Sequence, residues 1–331
     1  VGPGDLVATS PYTFTSSAAV ARHLGAEVRF CDISEADYNI DPEALEDLLK
    51  REAGRIKALV LVHIGGLPCR VAEILAIARR HGCAVVEDAA HAFPVRLSEG
   101  TVGTLGDIGV YSFYATKTIT TGEGGMVVTA DEGLRKRMAL MRLHGFDREA
   151  WDRYTSKQAS WLYGVAEAGY KYNLPDILAA IGREQLKKAE RFLAERKAIA
   201  ERYLEAFSGI GAVECPPLHP SHSWHLFSLR VRAEGLGFGR DEFIERLRAK
   251  GIGTSVHFIP LHLMRYWAER YSLKPSDFPR ALEKYQRSLS LPIWHGMSEA
   301  QVEKVAEAVL EVCGASGARR AGSAASTARG A

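Results

Sequence analysis

Short apolar segments alternate with amphipathic segments over the first two-thirds of the chain, and this alternation limits the possible folds more than any other feature. Residues 57–63 and 84–87 are short and largely apolar, which is typical of strands buried on both faces. Asp41 followed by Pro42 is typical of a helix start. Strands that alternate with helices in this way predict an α/β fold with a mostly parallel central sheet covered by helices.

The same pattern predicts two structured units and a tail. Residues 1–190 are expected to form a large domain, and residues 191–313 an interdomain helix with a smaller α+β domain. Residues 314–331 are rich in Gly, Ala, Ser and Arg without apolar periodicity, and we predict a disordered tail there. The predicted strands are 5–9, 27–32, 57–63, 84–87, 107–113, 125–128, 225–231 and 253–258, and the predicted helices are 16–24, 42–51, 70–81, 176–206, 241–250 and 299–312.

Composition excludes several classes of protein. The chain has 331 residues, and its 42 Lys and Arg against 40 Asp and Glu give no excess charge that would attract nucleic acid. Charged residues interrupt each apolar run before the roughly 18 residues that a membrane span needs. The five cysteines are far apart and form no CxxC pair, which indicates free thiols in a reducing cytoplasm and no metal site.

Polar residues follow two predicted strands of the large domain. Asp88 and His91 lie just beyond strand 84–87, and Lys117 lies beyond strand 107–113. In α/β folds, ligands bind at the carboxyl ends of the strands. Asp88 could also be a simple cap, and Lys117 a solvated surface lysine.

Pyridoxal phosphate (PLP) requires an acid for its ring nitrogen, a lysine for its aldehyde and donors for its phosphate. Asp88 and Lys117 supply the first two groups. Ser112 can offer a hydroxyl to the phosphate. The pattern therefore favours a PLP site, in which a partly desolvated lysine acts as nucleophile and base.

Eight motifs appear in order along the chain, and together they resemble the DegT/DnrJ/StrS family of fold-type I PLP-dependent sugar aminotransferases. The resemblance extends from residue 4 to about residue 312. The motifs are TSPYTF (9–14), VHIGGLP (62–68), EDAAHA (87–92), SFYATK (112–117), GEGG (122–125), GYKYNLPD (169–176), WHLF (224–227) and GTSVHFIPLH (253–262).

The resemblance assigns roles to residues of the predicted PLP-binding large domain. Lys117 is expected to be the Schiff-base lysine and Asp88 the partner of the pyridine nitrogen. His91 is expected near the phenolic oxygen of the cofactor, and Ser112 at its phosphate. Phe14 corresponds to the aromatic residue on the ring face, although an aromatic residue beside a strand can also be core packing.

Other implied roles concern substrates and a second subunit. Asn173 corresponds to a residue that reaches the phosphate of the neighbouring subunit's cofactor, which implies a homodimer with shared active sites, although Asn173 could also cap a helix. His257 and His262 resemble the substrate-side histidines of the family. Their spacing makes a poor metal pair.

The resemblance implies amino transfer from an amino acid, most simply glutamate, to a keto group of a nucleotide-linked sugar. PLP-dependent sugar dehydratases of the same family carry a histidine in place of the lysine, and Lys117 opposes that alternative. The resemblance also implies a Gly-Ser/Thr segment upstream of Asp5 that opens a phosphate-binding helix, and no such segment precedes Asp5 here. We therefore expect that an N-terminal part is missing, and a truncated, non-catalytic or regulatory member of the family is the second alternative.

Overall fold

The computed structural model describes residues 1–147 and 163–314. Its helices are α1 (Ser16–His23), α2 (Pro42–Arg51), α3 (Val71–Arg80), α4 (Glu132–Met141), α5 (Asp176–Leu186), α6 (Ala189–Phe207), α7 (Arg240–Ala249), α8 (Arg265–Tyr271), α9 (Pro279–Arg287) and α10 (Glu299–Val312). Its strands are β1 (Leu6–Thr9), β2 (Glu27–Phe30), β3 (Ile56–Val62), β4 (Ala84–Asp88), β5 (Arg96–Leu97), β6 (Gly100–Thr101), β7 (Ile108–Ser112), β8 (Gly125–Val128), β9 (Val213–Glu214), β10 (Phe227–Val231) and β11 (Ser288–Leu291).

Six strands form the central sheet, in the order β2-β1-β3-β4-β7-β8. Every neighbouring pair is parallel except the last, in which β8 runs antiparallel to β7. The predicted α/β fold is confirmed. Because β4 and β7 are adjacent, with Asp88 paired with Val110, the segments that follow both strands leave the sheet at the same edge.

Both faces of this sheet are buried, as the apolar strand sequences predict. Along β3, Leu59 and Leu61 point into a core shared with α2 and α3. Val60 and Val62 point into a second core, which includes residues of α1, α8 and α9. Consecutive residues of a strand face opposite sides, so a strand covered by helices on both faces must be apolar throughout.

A second, antiparallel sheet has the order β11-β10-β9 and a core of its own. Phe227 and Leu229 of β10 pack there against residues of α6, α7 and α10. Helix α6 begins at Ala189, next to the predicted boundary at residue 190, and the division into domains stays a prediction. Residues 315–331 of the predicted tail lie outside the described residues.

Two predicted elements of the C-terminal half are wrong. The helix expected over 176–206 is two helices, interrupted at Lys187 and Lys188. Helix α5 has no buried residue among those described, whereas α6 buries residues such as Phe192 and Ile199, so the two helices have different surroundings. The strand expected over 253–258 is reduced to one bridge between Ser255 and Ser290, and β11 takes its place beside β10.

Across the described part of the chain, no helix combines the length and the apolar character needed to cross a membrane.

Candidate active site

A cavity of about 510 Å³ lies at the carboxyl ends of β4 and β7. Its walls come from segments far apart in sequence, between residue 13 and residue 258. Six residues predicted from the sequence lie together in this wall, namely Phe14, Asp88, His91, Ser112, Lys117 and His257.

Strand alternation decides which of two neighbouring acids faces the cavity. Glu87 is fully buried on the opposite side, and its Oε2 lies 3.2 Å from His63 Nε2. Its carboxylate also accepts hydrogen bonds from the backbone N–H groups of Gly103, Leu105 and Gly106. Asp88 lines the cavity. Glu87 therefore stabilises the fold, and Asp88 is the acid that is available to a ligand.

Asp88 is held by two hydrogen bonds. The Ser17 hydroxyl donates to Asp88 Oδ2 at 2.8 Å, and the backbone N–H of Ala90 donates to Oδ1 at 3.2 Å. The Ser17 hydroxyl also lies 3.0 Å from Thr13 Oγ1. Bonds to both oxygens fix the orientation of the carboxylate. Ser17 was not predicted, because no local pattern connects it with Asp88 across the 71 residues between them.

Lys117 follows β7 in a turn closed by backbone hydrogen bonds, among them one from Lys117 N–H to the Tyr114 carbonyl at 3.0 Å. Burial lowers the pKa of Lys117 from 10.5 to about 8, and the nearby charge of Asp88 partly opposes this shift. Burial disfavours the charged ammonium form. The side chain can therefore act as a neutral amine at moderate pH, as a nucleophile or a base must.

The hydrogen bonding of His91 fixes its tautomer. The backbone N–H of Gly65 lies 3.2 Å from Nδ1, and because this N–H can only donate, Nδ1 is the acceptor and Nε2 carries the proton. Burial lowers the pKa of His91 well below its usual value, and the charges of Lys117 and His257 lower it further. His91 is therefore a neutral hydrogen-bond donor through Nε2.

Ser112 and Phe14 complete the predicted set. Ser112 Oγ accepts a hydrogen bond from the Tyr114 N–H at 3.3 Å, which leaves the hydroxyl proton free for a ligand. Phe14 is 59% exposed and its ring centroid lies 6.0 Å from that of Phe258. This exposure argues against core packing for Phe14.

His225 was not predicted, yet it lines the same cavity. Its ring centroid lies 4.3 Å from that of His91. The preceding residue, Trp224, has a φ of +52° although it is not glycine, and Ser223 Oγ donates to the His91 carbonyl at 2.6 Å. The turn at 223–225 is thus attached to the segment that carries His91. The WHLF motif contains His225, but nothing in its local sequence places it next to His91.

Two predicted residues lie elsewhere. His262 is fully buried, with its ring centroid 5.0 Å from that of Phe278, and it does not line the cavity. The expectation that His262 faces a substrate therefore has no support in this geometry, because core packing encloses the ring. Asn173 also lies outside the cavity, and Lys171 Nζ donates a hydrogen bond to its Oδ1. Its role toward a second subunit stays a prediction.

The residues of the cavity fit the chemistry of PLP. An acid, an amine, a neutral imidazole donor and a free hydroxyl match the ring nitrogen, aldehyde, phenolic oxygen and phosphate of that cofactor. Among the described residues, no group of three or more His, Cys, Asp or Glu side chains is arranged to hold a metal ion.

Comparisons with known proteins agree with this fit. The family model described as the DegT/DnrJ/EryC1/StrS aminotransferase family matches residues 1–310. The spore coat polysaccharide biosynthesis protein SpsC of Bacillus subtilis is 44% identical over 315 residues, which are 94% of this chain and 80% of SpsC.

Solved structures are similar as well. Helicobacter pylori PseC, an aminotransferase involved in the biosynthesis of pseudoaminic acid, has a TM-score of 0.86 and 28% identity, over 95% of this chain and 81% of PseC. The PLP form of Spr1654 from Streptococcus pneumoniae has a TM-score of 0.83 and 26% identity, over 95% of this chain and 82% of the Spr1654 chain.

Proposed function

The chain belongs to the DegT/DnrJ/EryC1/StrS aminotransferase family, and we propose that it moves the amino group of glutamate to a keto group of a nucleotide-linked sugar. It is a PLP-dependent sugar aminotransferase; the donor and the nucleotide are the parts that we propose. The observation that carries the proposal is Lys117, with a pKa of about 8, in one cavity with Asp88. The names of SpsC and PseC, which refer to the biosynthesis of a polysaccharide and of pseudoaminic acid, support a sugar as the acceptor.

Four residues of the cavity would hold PLP. Asp88, fixed by Ser17, would accept a hydrogen bond from the protonated ring nitrogen, and His91 would donate through Nε2 to the phenolic oxygen. The Ser112 hydroxyl would donate a hydrogen bond to the phosphate, and Phe14 would cover a face of the ring. When bound, PLP supplies an electron sink for the carbanion that amino transfer requires.

Lys117 would move the proton. It takes a proton from the amino-bearing carbon of the donor at Nζ and later returns one to the sugar carbon. With a pKa of about 8, roughly one-tenth of the lysine is neutral at pH 7, whereas at 10.5 fewer than about one in a thousand would be. Burial lowers the pKa values of His91 and His225 well below that of Lys117, so neither imidazole takes this proton from the lysine.

Lys117 also separates this proposal from the two alternatives. Sugar dehydratases of the same family carry a histidine at this position, and here the residue is a lysine with a lowered pKa. A non-catalytic member would have no need for a desolvated lysine beside an oriented carboxylate, since burying both groups costs stability.

We also propose that the protein is a homodimer whose two subunits share their active sites. We propose that it lies in the cytoplasm. Helix α5 presents Ile177, which is 78% exposed, together with Ile181 and Leu186, and the edge strand β8 presents Met126 and Val127. These five apolar side chains are exposed among the described residues, and a second copy would bury them. All five cysteines are free, which suits a reducing compartment.

The absorbance of the purified chain with added PLP tests the activity. We expect a yellow species in the wild type that glutamate bleaches, the same species in the control Lys197→Ala, on an exposed part of α6, and none in Lys117→Ala. A keto-sugar nucleotide should then restore the colour while an amino sugar forms. Colour that survives in Lys117→Ala contradicts the assignment of Lys117, and wild-type colour that glutamate leaves unchanged contradicts the donor.

A further inference from the structure

A second cavity, of about 480 Å³, adjoins the first one at Lys117. The two cavities share Thr116, Lys117, His225 and His257. The other walls of the second cavity come from α6, through Arg196, and from segments 253–255 and 290–295. A molecule whose reacting carbon lies at Lys117 can therefore extend into this second space.

The lining of the second cavity is cationic. Its ionisable residues are Lys117, Arg196, His225, His257 and His295, and the lining contains no carboxylate. Lys117 and Arg196 are potential cations, and a cavity that contains cations and no acid favours an anionic ligand.

Arg196 is the buried cation of this lining. The side chain is almost fully buried, and its Nη1 donates to the carbonyls of Ile293 at 2.9 Å and Trp224 at 3.2 Å. These bonds hold the guanidinium in place. Its Nε has no hydrogen-bond partner among the described residues, and no carboxylate there forms an ion pair with the guanidinium. A buried cation without a counterion is costly, and a bound anion would remove that cost.

Three more unpartnered polar atoms belong to the same lining: Thr254 Oγ1, His225 Nδ1 and His295 Nδ1. Together with Arg196 Nε, they are four of the eight buried side-chain nitrogens and oxygens without a partner in the described residues. Buried polar atoms are normally satisfied, so their concentration at one cavity points to a ligand that completes the bonding.

We propose that this second cavity is the subsite for the carboxylate of the amino donor, with Arg196 and Thr254 as its anion-binding groups. The inference rests on the proposed aminotransferase function. A carboxylate is bonded directly to the amino-bearing carbon of an amino acid, so it falls next to Lys117 when that carbon reacts. The diphosphate of a nucleotide-linked sugar lies several bonds from the keto carbon and would be placed farther away.

The test measures how the PLP-loaded protein binds glutarate, a dicarboxylate that has no amino group to transfer, by isothermal titration calorimetry. Thr254→Val keeps the volume of the side chain and removes its hydroxyl, and we expect glutarate affinity to fall about tenfold. Arg196→Gln should weaken it further, provided that thermal unfolding shows an intact fold. Thr104→Val, which removes an exposed hydroxyl away from both cavities, is the matched control and should bind like the wild type.

Steady-state kinetics give a second readout. Thr254→Val should raise the KM for glutamate about tenfold and leave the KM for the keto sugar unchanged. Unchanged glutarate binding in Thr254→Val overturns the subsite. So does a Thr254→Val variant that loses affinity for uridine diphosphate but keeps its affinity for glutarate. A wild-type protein that binds no glutarate overturns both the donor and the subsite, whereas binding that the variants retain overturns the subsite alone.

Discussion

At the residue scale, single side chains in this site are controlled by their burial and by one or two hydrogen bonds. Asp88 and Glu87 are adjacent carboxylates with different tasks, because one faces the cavity and the other faces His63 and three backbone N–H groups. Lys117 and His91 are both pushed toward their neutral forms by burial. Burial thus prepares a base and a neutral hydrogen-bond donor within one cavity.

The lowered pKa of Lys117 predicts a stability effect. Below pH 8 the lysine is charged in the folded and unfolded states, and folding must bury that charge. Between pH 8 and 10.5 the unfolded state binds more protons, so this cost disappears as the pH rises. Lys117→Met should therefore stabilise the cofactor-free protein at pH 7, by about 1–3 kcal/mol, and much less at pH 10.

Thermal unfolding of the cofactor-free wild type and variant at the two pH values measures this difference. Lys197→Met, on an exposed part of α6, is the control and should show no such gain at either pH. A variant that is less stable than the wild type at pH 7 would show that burial of Lys117 carries no charge penalty.

At the element scale, the helix and strand positions follow the sequence where local signals are strong. Helix α2 and strand β8 have the predicted bounds, and the Asp41 side chain accepts a hydrogen bond from the Glu43 N–H as the predicted cap. Helix α10 also has its predicted bounds, behind a capping box of Ser298 and Gln301. Segment 253–258 departs from its strand-like sequence, and the Nδ1 atom of His257 instead lies 2.9 Å from Ser290 Oγ.

The contact between the 64–66 turn and the 223–225 turn places His225 at the site, and it predicts a sensitive glycine. Gly66 has a φ of +93°, and a Cβ there would lie 1.8 Å from Ser223 Oγ. Gly66→Ala should destabilise the protein by about 2–4 kcal/mol and weaken PLP binding, because the 223–225 turn must move away from His91.

Gly54→Ala is the matched control. Gly54 has a φ of +72°, and a Cβ added there would have nothing within 4 Å, so this variant bears the backbone strain alone, about 1 kcal/mol. Chemical denaturation and titration with PLP would compare the two variants. Equal losses of stability, with PLP affinity unchanged in both, would mean that the contact with Ser223 is unimportant.

At the scale of the whole molecule, the site lies between the two sheets and their cores. Asp88 ends strand β4 of the parallel sheet and Lys117 follows strand β7, whereas His225 and His257 come from the C-terminal half. The hydroxyl of Tyr12 donates to the His257 carbonyl at 3.1 Å, across 245 residues of sequence. The site therefore forms only when both halves are folded and in contact.

The proposed shared site predicts complementation between two inactive chains. Lys117→Ala removes the reactive lysine, and Asn173→Ala removes the residue proposed to serve the neighbouring subunit. In a mixed dimer, one site receives Lys117 and Asn173 in their wild-type forms. After co-refolding at equal amounts, about a quarter of the sites should be intact, and activity should return to roughly that level.

Activity assays of each variant alone and of the mixture measure this effect, with analytical ultracentrifugation to establish the dimer. Mixing Lys117→Ala with itself is the control. A mixture no more active than the separate variants would contradict a site shared through Asn173, and a monomeric, fully active protein would contradict the homodimer.

The amino-acid sequence was enough to predict the parallel sheet, the bounds of five helices to within one residue, and the cluster of Asp88, His91, Ser112 and Lys117, because these features depend on local periodicity and on strand ends that meet at one edge. Helices α4, α8 and α9 were not predicted. The break between α5 and α6 could not be predicted, since it depends on what each helix packs against. Nor could the contacts of Ser17 with Asp88 and of His225 with His91, or the burial of His262, because they join distant segments. Burial in the folded chain sets the pKa of Lys117 and leaves the Arg196 charge without a counterion among the described residues, and burial is a property of the assembled fold.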